Sequence, residues 1–219
     1  MKIKLEEVVI FDMDGVIFDS EKCVVECWKE VAEKYNVPDV EAACMECLGV
    51  NRQETREKWL RRYGQDFPYD AYKDEMSALF HSRYDQGRLP LKTGVEELLQ
   101  ALKASQIRTA IASSTRQKIV EQEIKDAGLS RYFDHIVGGD AVERSKPAPD
   151  IFLKACGLLE VSPKAAYIIE DSYNGVRAAH AAGANPIMVP DLAAPNEEMR
   201  EIARAILPTL LDVKQYLLQ

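Results

Sequence analysis

From about residue 92 onward, short apolar runs alternate with longer stretches of helical periodicity. "GVEELLQALKAS" leads to "IRTAIAS", and "TRQKIVEQEIKDAG" leads to "HIVGG". "APDIFLKACGLL" leads to "AAYIIED", and "YNGVRAAHAAG" leads to "ANPIMVP". Apolar runs separated by helices of about 10–14 residues predict βαβ units and a parallel sheet. Gly128, Gly157 and Gly183 fall where three of these helices are expected to stop. Ser162 with Pro163 reads as an N-cap followed by proline at the first helical position. An earlier run, "VVIF" at residues 8–11, supplies a first strand.

Residues 19–88 carry no strand pattern. In "SEKCVVECWKEVAEKYN", Val24, Trp28, Val31 and Tyr35 share one helical face. Asn51 followed by Glu54 is a capping-box variant that starts a helix at Arg52. A third helix, "YDAYKDEMSALFHSRY", carries Tyr72, Met76, Leu79, Phe80 and Arg83 at helical spacing. An all-helical block thus interrupts an α/β domain directly after its first strand. Linkers are expected near residues 16–20 and 86–92, with hinge motion between the parts.

The 219 residues suffice for a sizeable core, and 47% hydrophobic with 29% charged residues is ordinary for a globular protein. A net charge of −8 argues against a broad nucleic-acid surface, while leaving room for a small anionic ligand in a local pocket. No apolar run reaches the roughly 18–20 residues of a membrane span. The opening "MKIKLEEVVIF" lacks a signal h-region. Five cysteines, Cys23, Cys27, Cys44, Cys47 and Cys156, are an odd count that fits a reducing compartment. The expected location is cytoplasmic.

The chemistry gathers at the ends of the apolar runs. "VVIF" ends at Asp12, "TAIA" at Ser113, and "AYII" at Glu170 and Asp171. Ligands of an open parallel sheet bind beyond the carboxyl ends of its strands, so these residues are expected at one edge. Asp12 and Asp14 are two apart and face one side in extended chain. Together with Asp171 they call for a cation, and hard oxygen ligands suit Mg²⁺, which keeps waters and takes phosphate oxygens. His81, His135 and His180 lie at no relevant strand end, which weighs against zinc. An EF-hand fails as well: counting from Asp12, its fifth, sixth and twelfth positions fall on Val16, Ile17 and Cys23. On the anion side, Ser113 and Ser114 are expected to open the helix "TRQKIV", whose N-terminus suits phosphate. Lys146, in a loop stiffened by Pro147 and Pro149, can neutralise a phosphoryl group as a point charge.

"FDMDGV", "IASS", "SKPAPD" and "IIEDSYNGV", in that order, resemble the four signature motifs of the haloacid dehalogenase-like superfamily. The helical insert resembles that superfamily's small α-helical cap, and the match spans nearly the whole chain. "SKPAPDIF", "AAGANPIMVP", Trp28 and the "GVNR" that places Arg52 at a cap-helix start resemble the β-phosphoglucomutase-like phosphatase branch. The fold implied is α/β: a Rossmann-like parallel-sheet core of residues 1–15 and 90–219, with an inserted all-α cap of residues 16–89. The resemblance implies Asp12 as nucleophile and Asp14 as general acid and base. It implies that Ser113 and Lys146 hold the transferring oxygens, with Ser114, Arg52 and Asn174 contacting substrate. Mg²⁺ is implied on Asp12, the Asp14 main-chain carbonyl and Asp171, with Glu170 in or beside that shell.

Departures from the family pattern narrow the activity. Dehalogenases of this superfamily lack the second aspartate, which is present here as Asp14. β-Phosphoglucomutases carry a cap histidine near the position of Val24, and a lysine just before the glycine of the "GVNR"-like motif, where this chain has Leu48. The expected function is therefore hydrolysis of a small phosphate monoester, a sugar phosphate foremost. A phosphomutase and a non-catalytic phosphate-binding protein are the alternatives. Lys22 lies near the place where phosphonate-cleaving relatives use a Schiff-base lysine, without reason to assign it that task. The expected partner is a small phosphorylated metabolite, with neither nucleic acid nor membrane, and the expected state is a monomer or weak dimer.

Other residues have plainer readings. Asp19 is expected to cap the helix beginning near Ser20 rather than to join the site. A cation at a helix start opposes the dipole, which marks Arg52 as a candidate substrate contact. The pairs Cys23/Cys27 and Cys44/Cys47 fall on predicted helices and read as buried small hydrophobes rather than a zinc site. Tyr63, Tyr69, Tyr72 and Tyr84 read as packing.

Overall fold

The computed structural model describes residues 3–47 and 52–219, apart from the side chain of Arg52. Asn51 and Leu48 lie outside the described residues. The expected apolar runs form β1 (Val8–Phe11), β2 (Thr109–Ala112), β3 (His135–Val137), β4 (Ala166–Glu170) and β5 (Asn185–Met188). A two-residue strand, β6 (Ala205–Ile206), adds an edge that no apolar run marks. The six strands pair in parallel in the order β3-β2-β1-β4-β5-β6. The chain runs outward from β1 to β3 on one side and from β4 to β6 on the other, so the switch in strand order falls between β1 and β4, the place where such sheets bind ligands.

Between β1 and β2 come α1 (Ser20–Tyr35), α2 (Val40–Met45), α3 (Arg52–Tyr63), α4 (Tyr69–Tyr84) and α5 (Val95–Ala104). The later helices are α6 (Gln117–Asp126), α7 (Asp150–Leu158), α8 (Tyr173–Ala181), α9 (Glu197–Ile202) and α10 (Leu210–Leu218). The short α2 and the C-terminal α9 and α10 lie outside the βαβ pattern and the three insert helices read from periodicity. Gly128 and Gly183 follow their helices with positive φ, as expected. Gly157 does not end its helix. α7 runs through it to Leu158, and Glu160 takes the left-handed conformation instead.

Strand alternation sorts the core into two layers. Val9 and Phe11 pack with Leu98, Leu102 and Ile124 beneath α5, α6 and α10. Val8 and Ile10 pack with Phe152, Ala155 and Ala178 beneath α7 and α8. Each fully buried side chain of this size contributes about 1.5–3 kcal/mol, so β1 is pinned in register from both faces. Helices α1 to α4 surround a further apolar cluster of their own. At its centre Trp28 stacks on Trp59 with ring centroids 4.6 Å apart. The hydroxyl of Tyr72 donates to the Trp28 carbonyl at 2.7 Å. Tyr69 and Tyr72 are buried in this cluster, and Tyr63 and Tyr84 pack against it, as their packing role requires. Cys23, Cys27, Cys44 and Cys156 are buried thiols and Cys47 is half-buried.

The two linkers run side by side. Asp19 N donates to Pro90 O and Lys92 N to Ile17 O, both at 2.9 Å. Asp19 precedes α1, but its side chain makes no cap hydrogen bond. It instead accepts from Lys92 Nζ at 3.3 Å, while Lys92 also donates to Asp191 Oδ1 at 2.5 Å. Lys92 is better placed than the orphan N–H groups because it offers a full charge to two carboxylates. Asp191 Oδ2 is buried without a hydrogen-bond partner, so Lys92 is the cation that makes its burial tolerable. Replacing Lys92 with Met should lower unfolding stability by about 1–3 kcal/mol. Urea unfolding checks this, and an unchanged midpoint would count against the link.

Candidate active site

Parallel register brings the strand ends level. Phe11 is paired with Ile111 on one side and Ile169 on the other. Asp12, Ser113, Glu170 and Asp171 therefore emerge at one edge, as expected, and all four are buried. Asp12 N donates to Ile169 O at 2.9 Å, and Ser113 N to Val137 O at 3.0 Å, which fixes both residues just past their strands.

Lys146 reaches into this cluster from the loop before α7. Its ammonium donates to Asp12 Oδ1 at 2.5 Å, Glu170 Oε1 at 2.6 Å and the Ala112 carbonyl at 3.1 Å. All three of its N–H donors thus have acceptors. Burial alone would lower the Lys146 pKa, but Asp12 and Glu170 outweigh it and hold the ammonium above the ordinary lysine range. Burial pushes Asp12 up to about 7 against the pull of Lys146, with Glu170 and Asp14 adding to the rise. Burial, then Glu21 and Glu170, raise Asp171 well above its ordinary value.

Glu170 is occupied at both oxygens. Oε1 takes Lys146, while Oε2 accepts from the N–H groups of Asp171 and Ser172 and from the Ser172 hydroxyl, at 3.0–3.1 Å. It therefore orients Lys146 and the 171–172 backbone. The Ser172 hydroxyl in turn accepts from Gly175 N and caps α8. A Cβ at Gly175 would lie 1.9 Å from the Glu170 carboxylate, so only glycine fits there. Gly15 has φ +76°, and a Cβ on it would meet Asp171 Oδ2 at 2.3 Å.

Asp14 is held by two hydroxyls that the motif reading passes over. Ser20 Oγ on α1 donates to its Oδ1 at 2.7 Å, and Thr115 Oγ1 donates to its Oδ2 at 2.9 Å. One clamp comes from the helical insert and the other from the sheet edge. Ser and Thr beside the motifs are common cap residues, so nothing local marks this pairing.

The other expected site residues divide. Ser113 and Ser114 do not open α6, which begins at Gln117. Ser113 Oγ instead accepts from Thr115 N at 3.0 Å in the turn that precedes it. Asp140, from a neighbouring loop, accepts from Gln117 N at 2.8 Å and takes the capping role. Ser114 is exposed. Asn174 Oδ1 accepts from Arg177 at 3.1 Å, and Asn174 lines a cavity of about 590 Å³ with Asp171, Ser172 and Glu21. Arg52 begins α3 as expected, but its side chain lies outside the described residues. Lys22 is exposed.

Two acidic residues escape sequence reasoning altogether. Glu21, next to Ser20, lies within a carboxylate cluster with Asp171 and Asp191. Burial, then Asp191, push it up to about 8. Glu123 on α6 looks like a solvated helix residue in the sequence, yet its Oε2 is buried without a hydrogen-bond partner. Burial, then Asp14, push its carboxyl up to about 7.

These features coincide with a known family. A family model described as haloacid dehalogenase-like hydrolase matches residues 9–189, and the chain belongs to that family. It is 34% identical over 177 residues to the phosphorylated carbohydrates phosphatase of Thermotoga maritima, covering 81% of this chain and 82% of that one. It is 33% identical over 181 residues to the β-phosphoglucomutase of Bacillus subtilis, covering 80% and 79%. A HAD family hydrolase from Deinococcus radiodurans, solved with bound phosphate and sodium, superposes with TM-score 0.78 at 26% identity, covering 94% and 93%.

The raised Glu123 pKa has a measurable consequence. The native protein keeps a proton that the unfolded chain releases above its ordinary value of 4.5. The Glu123 contribution to stability therefore falls as pH rises from 4.5 to about 7. Denaturation of the metal-free protein across this window should show that fall, shared with Asp12, Glu21 and Asp171, and Glu123→Gln should make it shallower. Parallel pH curves for the two proteins would contradict the assignment.

Proposed function

We propose that the protein is a Mg²⁺-dependent phosphatase of small phosphate monoesters, sugar phosphates foremost, acting through an aspartyl-phosphate on Asp12. The observation that carries this reading is the buried Lys146 ammonium shared by Asp12 and Glu170, with Asp14 clamped two residues beyond the nucleophile. The similarity to a phosphorylated carbohydrates phosphatase supports the substrate class.

The residues fit a divalent cation. Asp12, Glu170 and Asp171 offer carboxylate oxygens within 4.8 Å of one another. Lys146 supplies one positive charge to this group, and Asp12 and Asp171 are both pushed towards protonation. Asp12 and Asp171, with the Asp14 main-chain carbonyl, would hold Mg²⁺, and Glu170 would stand beside them. When bound, the ion would lower the Asp12 pKa and neutralise charge on the phosphoryl oxygens.

The chain's own residues carry the steps. Asp12 attacks phosphorus and forms an acyl-phosphate while the ester P–O bond breaks. Asp14 gives its proton to the departing alkoxide, which leaves as the alcohol. Asp14 then takes a proton from water, whose oxygen attacks the same phosphorus and releases phosphate from Asp12. Lys146 and Ser113 would hold the non-bridging oxygens through both displacements. Residues 1–15 and 90–219 would act as the catalytic core and 16–89 as a cap. The paired linkers at Asp19/Pro90 and Ile17/Lys92 would serve as its hinge.

Phosphate release from p-nitrophenyl phosphate should require Mg²⁺ and be abolished by chelation. Asp12→Asn should lose about 10⁴-fold or more in kcat, as expected for a lost nucleophile. Asp14→Asn should lose about 10²–10⁴-fold on a sugar phosphate. Undiminished turnover by Asp12→Asn would overturn the proposal.

A further inference from the structure

A second group of carboxylates stands beside the first. Oxygens of Glu21, Asp171 and Asp191 lie within 4.8 Å of one another. Oxygens that share one divalent cation are at most about 4–5 Å apart, twice the usual bond length. The three residues come from separate parts of the chain. Glu21 lies in the first turn of α1, Asp171 directly follows β4, and Asp191 lies beyond the end of β5. The Asp191 side chain is only 9% exposed. Lys92 takes its Oδ1, while its Oδ2 is buried without a hydrogen-bond partner. Lys92 already divides its charge between Asp191 and Asp19. Glu21 and Asp171, the other members of the group, only accept when ionised and cannot satisfy that oxygen. A cation can, and it would serve all three carboxylates at once.

We propose, resting on the Mg²⁺ reading above, that Glu21, Asp171 and Asp191 form a second divalent-cation site, with Asp171 shared between the two ions. The two carboxylate groups overlap only at Asp171. Its two oxygens allow one for each ion, as in other paired-metal sites. Hard oxygen donors of this kind suit Mg²⁺, Mn²⁺ or Ca²⁺. Three carboxylates leave positions for water, and the cavity of about 590 Å³ that Glu21 and Asp171 line supplies room and an entry path. The proton that burial keeps on Glu21 leaves when the cation binds, because carboxylate ligands must ionise.

Such an ion ties the helical insert to the core. Glu21 belongs to the insert, whereas Asp171 and Asp191 follow strands of the sheet. Glu21 also lines a cavity of about 490 Å³ that opens beside Asp14, between the insert and the sheet edge. Ser20, its neighbour in sequence, holds Asp14 Oδ1. The second ion is therefore a clamp. It fixes the start of α1 against the sheet edge, and with it the setting of Asp14, while the ion on Asp12 meets the phosphoryl group.

Mn²⁺ binding to the full chain tests this. Equilibrium dialysis should give two ions per wild-type chain, and electron paramagnetic resonance should show magnetic coupling between them. Glu21→Gln and Asp191→Asn should each weaken one ion by more than about 100-fold, beyond the 10–100-fold effect of an outer-shell partner. Each should abolish the coupling and leave the other ion bound. A single ion per wild-type chain, with metal-dependent hydrolysis of p-nitrophenyl phosphate intact, would overturn this inference alone. Two ions that both variants retain would overturn it as well. No bound ion and no turnover would overturn the metal-dependent phosphatase reading together with it. If Asp191→Asn does not fold, Glu21→Gln, at a half-buried position, decides.

Discussion

One buried ammonium makes the rest of this site possible. Asp12, Glu170 and Asp171 cluster at the end of a sheet that buries all three. Carboxylates at such separations cannot all ionise in a dry setting without positive charge among them. Lys146 supplies it, bonded at once to Asp12, Glu170 and the Ala112 carbonyl. These contacts depend on strand register. β1, β2 and β4 must end level for Asp12, Ala112 and Glu170 to reach one cation. The constraint propagates outward, since Glu170 holds the 171–172 backbone and crowds Gly175. One cation for three carboxylates still leaves Asp12 and Asp171 with raised pKa values, which is the electrostatic case for a divalent ion.

The helical insert joins this chemistry at few points. Ser20, the first residue of α1, holds one oxygen of Asp14, while Thr115 at the sheet edge holds the other. The next residue, Glu21, lines both cavities. The aromatic cluster around Trp28 and Trp59 gives the insert rigidity of its own and also faces the cavity beside Asp14. Lys92 ties the linker region to Asp19 and Asp191. A rotation about the linkers would move Ser20 and Glu21 together, so the position of the insert and the setting of Asp14 are coupled.

Much of this was legible in the chain because sheet physics is local at strand ends. Buried parallel strands must be apolar, so a polar residue closing such a run marks the edge where ligands bind. Asp12, Ser113, Glu170 and Asp171 each close such a run. What failed were inferences from neighbouring residues where a distant partner prevailed. Ser113 was expected to open α6, but Asp140 supplies the cap and the helix starts later. Asp19 was expected to cap α1, but Lys92 offers a full charge instead. Gly157 was expected to end α7, yet the helix continues past it. The short β6 and α2 have too few residues for periodicity to show. Ser20, Thr115, Glu21 and Glu123 gain their roles from the juxtaposition of insert and sheet, which no local pattern encodes.

The central claim is that Asp12, oriented by its buried neighbours, is the nucleophile that takes the phosphoryl group in a covalent transfer. Acid quenching during turnover of a radiolabelled phosphate ester, followed by peptide mapping, tests it most directly. The account predicts an acid-stable, hydroxylamine-labile phosphoryl group on the peptide containing Asp12, absent from Asp12→Asn. Rapid phosphate release with no label on Asp12, or label on another residue, would contradict it.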